Sequence, residues 1–98
     1  MQMDQPARPD TPADKAMMSG MKTMQHSMSG AVVTGNPDHD FVSMMMPHHE
    51  GAIDMAKVEL RYGKDPGLRQ LAGDIIAAQQ REIVQMNAWL AAHPSPAD

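Results

Sequence analysis

The chain is predicted to be all-α: an antiparallel helical hairpin preceded by a shorter N-terminal helix. Three observations predict it. A helix-capping residue stands directly before a proline three times, at Thr11-Pro12, Asn36-Pro37 and Asp65-Pro66. Apolar residues recur at three- and four-residue spacing after the second and third of these signals. No stretch alternates apolar and polar residues as a half-buried strand does.

The first helix is expected over about Pro12 to Met28, weakened by Gly20 and several serines and ended by Ser29-Gly30. The second is expected from Pro37 to Tyr62, with Gly63 as its stop. Pro47 lies inside it, removes one backbone hydrogen bond and crowds the carbonyl of Ser43, which predicts a kink near Met44 to His48. The third is expected from Pro66 to Ala92, before Pro94. Gly63-Lys64-Asp65 permits only an antiparallel connection, so the core is a hairpin with arms roughly 39 Å long. Residues 1–11 and 94–98 are rich in Pro, Ala and Asp and read as tails, residues 12–35 as Met-rich helix and linker, and residues 36–93 as hairpin core. Two long helices leave apolar surface uncovered, so either the first helix packs across them or two copies pair into a bundle.

Composition excludes several functions. Eight basic and twelve acidic residues give a formal charge of −4, which argues against a nucleic-acid partner. No apolar run of about 18 residues exists to span a membrane. The start, Met1-Gln2-Met3-Asp4-Gln5-Pro6, shows no signal peptide. With no cysteine among 98 residues, thiolate chemistry is excluded. Ser19, Ser27, Ser29 and Ser43 lack a nucleophile-elbow context, and no enzyme activity is expected. Twelve methionines and five histidines stand against only three aromatics. Methionine is an adaptable core filler and also a thioether ligand that selects copper(I).

Projected at about 100° per residue, Phe41, Met45, His48, Ala52 and Met55 share one face of the second helix, with His49 on its flank. Gln79 and Glu82 fall on the Leu68-Ile75-Met86 stripe of the third. A turn centred near Lys64 sets His49 opposite Gln79 and Met45 opposite Ile83. One layer then gathers Met44, Met45, His48, His49, Gln79, Glu82 and Met86. Two readings compete there. In the first, Glu82 accepts from one histidine ring and Gln79 fixes the other. In the second, imidazole and thioether ligands hold a soft ion, copper(I) or silver(I), with Glu82 as a ligand or as the acceptor that orients a ligand ring, and Gln79 beside it. In the first helix Met17, Met21, Met24 and Met28 share a stripe that is either core face or ligand set. Met18 and His26 lie off that stripe and add donors from another side. His39 and His93 read as surface residues without a role.

The ordered set F-x-x-M-M-x-P-H-H-x-G-A-x-x-M-A, Phe41 to Ala56, is followed by Q-x-x-E-I-x-x-M, Gln79 to Met86. Over about residues 36 to 92 the chain thereby resembles the bacterial domain-of-unknown-function family 305, which includes CopM-like copper-resistance proteins. The resemblance implies a ferritin-like helical bundle, an extracytoplasmic (periplasmic) location and copper or silver binding. It maps the motif ligands onto Met44, Met45, His48, His49 and Met55, with Glu82 and Met86 following. The N-terminal Met cluster lies outside that match.

The expected function is non-enzymatic binding of copper(I) or silver(I) for buffering, transport or resistance, with a copper-handling protein as exchange partner. Affinity is expected to fall as pH drops through about 6.5, the reference value for histidine. The alternative is a helical interaction module whose methionines form a packing surface, with no physiological metal.

Overall fold

A computed structural model describes residues 11–31 and 33–94. The tails expected at 1–11 and 94–98 lie almost wholly outside the described residues. Among the described residues three helices account for the fold: α1 (Pro12–Ser29), α2 (Pro37–Tyr62) and α3 (Pro66–Ala92). Among the described residues there is no strand. Each helix begins where the sequence puts a cap before proline. The Thr11, Asn36 and Asp65 side chains accept from amides of their own first turns, at 3.0 Å from Asp14, 3.0 Å from Asp38 and 2.8 Å from Leu68. Proline at the first helical position costs nothing, since that amide has no helical partner.

The hairpin turn is tied by Arg69, whose guanidinium donates to the carbonyls of Leu60 and Gly63 at the C-terminus of α2. Those carbonyls lack helical donors and sit at the negative end of the helix dipole. Within α2 the helix continues through Pro47, and the proline ring is buried.

Where α1 packs departs from expectation. It lies against α2 on the side away from α3, and among the described residues α1 and α3 do not meet. The chain is therefore a single layer with α2 in the middle. Val42, His49, Ile53 and Ala56 of α2 are buried on the α3 side, while Pro47 and Gly51 are buried toward α1. Gly51 admits α1 because it lacks a side chain. A Cβ there would stand 2.6 Å from Met24 Sδ, 3.0 Å from Cγ and 3.3 Å from Cβ. Gly51→Leu is expected to unseat α1 while leaving the hairpin helical. Hydrogen exchange should then show lost protection in residues 12–29 alone, and unchanged protection there would refute this contact as the one that seats the helix.

The linker into α2 closes on Asp40. Its carboxylate accepts from Thr34 N and Oγ1, both at 2.9 Å, and from Gly35 N at 3.1 Å. The Thr34 amide, more than any other group, holds this carboxyl below its ordinary value of 3.8, against a desolvation that raises it; the Thr34 hydroxyl, the Gly35 amide and His39 add to the lowering. A depressed folded value means that the folded state resists protonation. The contribution of Asp40 is thus complete above 3.8 and is lost as pH falls through the lower, folded value. Asp40→Asn should remove that acid-side loss and raise amide exchange at Thr34 and Gly35 at neutral pH.

Candidate functional site

Along α2, His49 follows Met45 by one turn. Its Nδ1 lies 2.9 Å from the Met45 carbonyl oxygen. That oxygen only accepts, so Nδ1 carries the proton. This bond turns the ring across the layer, and Nε2 meets Glu82 Oε1 of α3. Two acceptors cannot hydrogen-bond without a hydrogen, so a proton sits between Nε2 and the carboxylate. His49 is the one buried polar residue among those described, 8% exposed. Glu82 stays half in solvent, its side chain 53% exposed, so the pair is closed on one side and open on the other.

An open cleft of about 470 Å³ surrounds this pair. Met45, His49, Glu82 and Met86 line it together, with Phe41 and Trp89 closing its apolar end. Two thioethers, an imidazole and a carboxylate thus face one space between α2 and α3. Among the described residues no three His, Asp or Glu side chains converge, so the sulfur atoms are what makes this donor set.

Four predicted site residues therefore come together, and the others do not. The α2–α3 register is offset by three residues from the expected one: His49 meets Glu82, not Gln79. Gln79 fixes no histidine; its Oε1 is buried without a partner. Met44, His48 and Met55, expected inside the hairpin, are exposed on the arc of α2 between its two packed sides. Of the α1 residues, Met24 packs on Gly51 and reads as core. Met17 and Met28 are half-buried, and Met18, Met21 and His26 are exposed. His26 borders a separate shallow cleft with Ser27, Pro47 and Glu50.

Two histidines left without a role in the sequence acquire one. His93 stacks on Trp89 at 4.3 Å with 14° between the rings, and its Nδ1 donates to the Trp89 carbonyl at 2.9 Å. His39 meets the same indole edge-on at 5.0 Å. The His39 contact joins the start of α2 to the end of α3, at the apolar end of the cleft, and His93 backs the same indole from the end of its own helix. The signal was present: in a hairpin whose arms are of nearly equal length, residues just inside the two open ends must be neighbours.

Comparisons with known proteins agree with the sequence motifs. A family model described as a domain of unknown function (DUF305) matches residues 1–90, so the match takes in the Met-rich α1 as well as the hairpin. An uncharacterized protein of Acanthamoeba polyphaga mimivirus is 47% identical over 53 residues, which is 54% of this chain and 35% of that protein. The chain thus spans about a third of that relative's length.

Proposed function

The chain belongs to the DUF305 family, a domain of unknown function, and from that premise we propose that it is a non-enzymatic binder of copper(I) or silver(I), held in the cleft between α2 and α3. One observation carries the reading: Met45, Met86, His49 and Glu82 line a single cleft, with the ring of His49 oriented by the Met45 carbonyl. A ligand histidine ordinarily donates its other ring nitrogen to a carbonyl in this manner. Thioethers select a soft monovalent ion over zinc or calcium. In this reading the Met45 and Met86 sulfurs bind the ion, Nε2 of His49 completes the set, and Glu82 yields the ring when the ion enters.

The open side of the cleft at Glu82 suits exchange with a copper-handling partner, and so buffering or transport. A chain without cysteine has no thiols to lose to oxidation, which fits work outside the cytoplasm. The exposed apolar arc of α2 favours a second reading, an interaction module with a Met-rich packing surface.

Trp89 is the only tryptophan in the chain and lines the cleft, so its emission reports the site. Titration with Ag(I) should change that emission saturably, raise the melting temperature, and require more ion at about pH 5 than at about pH 7 because a proton competes for Nε2. A flat emission curve with an unchanged melting temperature would overturn the proposal.

A further inference from the structure

The single layer leaves one broad face that nothing among the described residues covers. Met21 of α1, Phe41, Met44 and Met55 of α2, and Leu68 and Leu71 of α3 are between 38% and 61% exposed. They are not scattered. α2 spends one side on α3 and the other on α1. At about 100° per residue, Phe41, Met44, His48, Ala52 and Met55 fall in one of the two arcs left between those sides. The other free arc carries His39, Glu50, Lys57 and Arg61. The register set by Met24 against Gly51 and Gly20 beside Asp54 places Met21 level with Ile53 and Asp54, next to Met55, and Met28 level with Met46 and Pro47, next to His48. Helix geometry turns Met21, Leu68 and Leu71 to the same side of the layer as the apolar α2 arc.

The interior explains why this face needs an occupant. Buried apolar side chains among the described residues are Val42, Pro47, Ile53, Ala56, Ala72 and Met86, and no large side chain falls below 2% exposure. So small a core is marginal for a domain of this length. Three helices of these lengths side by side offer about 1,000 Å² of face, against about 800 Å² per partner in a stable complex. The charged group nearest its centre, Glu82, is already paired with His49, so the face sets no unpaired charge against a copy of itself.

We propose that a second copy of this chain seats on this face, α2 crossing α2 near Ala52, the smallest side chain of the arc, and that Met44 and His48 of each copy with Met55 of the other then enclose two equivalent soft-cation sites distinct from the cleft. The docking surface stands on packing alone; the enclosed ions rest on the soft-metal reading of this protein. His48 makes no hydrogen bond among the described residues, so its ring nitrogens are available. A crossing near Ala52 brings His48 of each copy level with Met55 of the other.

The test is the mass of the full chain by sedimentation, first with a chelator and then with Ag(I). Twice the chain mass is expected in both. Leu68→Asp with Leu71→Asp should give single chains of unchanged helical content that keep only the cleft ion. Val84→Asp, on the outer side of α3, should stay dimeric as a control. In the dimer, Met44→Leu, His48→Gln and Met55→Leu together should lose the ions between copies and keep the one that each copy binds through Met45 and Met86. Single chains in every condition would overturn the proposal, as would a dimer indifferent to the two aspartates. A dimer that takes up no Ag(I) at all would sink the cleft reading and the enclosed ions while leaving the docking surface in place. Retained cleft binding in a monomeric wild-type chain would do the reverse.

Discussion

Replacing Met45 and Met86 together with leucine should weaken Ag(I) binding at the cleft by more than about 100-fold, since removing even an outer partner of a metal site costs 10–100-fold. Leucine matches methionine in volume, and such swaps cost under about 1.5 kcal/mol each. The metal-free variant should therefore keep its helical content and much of its melting temperature. Met86 is 9% exposed and Met45 half-buried, so a polar replacement would confuse lost sulfur with lost packing; leucine separates them. Competition against a chromophoric Cu(I) chelator measures the affinity, and Trp89 emission reports the same site independently. If the double variant holds the ion as tightly as the native chain, thioethers do not bind it, and the cleft is ordinary packing between two helices.

How much of this could be read beforehand differs from one feature to the next. The helix limits were legible because each is a local event. Proline after a cap starts all three, and Gly63 and Gly30 end two. The family motif was legible too, since it is an ordered string. Which face of α2 points inward was not. A helix packed on both sides has two buried arcs, and a single projection tuned to one stripe merges or misplaces them. His48 and Met55 lie on the exposed arc for that reason, while His49, placed at the flank, is the ring that is buried. The register error has a different origin. Centring the turn on Lys64 assumes that both helices leave it at equal height, whereas His49 meeting Glu82 shows one arm advanced by nearly a turn. Arg69, bonded to Leu60 and Gly63, is a long-range tie at that turn that periodicity cannot reveal. The role of Gly51 was hidden similarly: its fit against Met24 depends on a helix that the hairpin pattern never mentions.

Glu82→Leu should lower the stability of the metal-free protein by about 1–3 kcal/mol, the cost of leaving a buried polar group without its partner. The lower part of that range is expected, because half of the Glu82 side chain is in water and solvent already screens the pair. Stability alone does not separate a structural pair from a metal site, since both readings need the bond. The proton between Nε2 and the carboxylate does. An ion that takes the Nε2 lone pair must expel that proton, so native protein should release about one proton per Ag(I) bound. Glu82→Gln keeps the size of the side chain and reverses the bond, its amide N–H donating to a neutral ring. Proton release should then fall toward zero, while Ag(I) still binds through the two sulfurs. Calorimetric titrations in two buffers of different ionisation enthalpy give the proton count directly. Equal release from the native protein and the Glu82→Gln variant would mean that the ion never takes Nε2. His49 would then be the strut that joins α2 to α3, and any soft-metal chemistry in the cleft would rest on Met45 and Met86 alone.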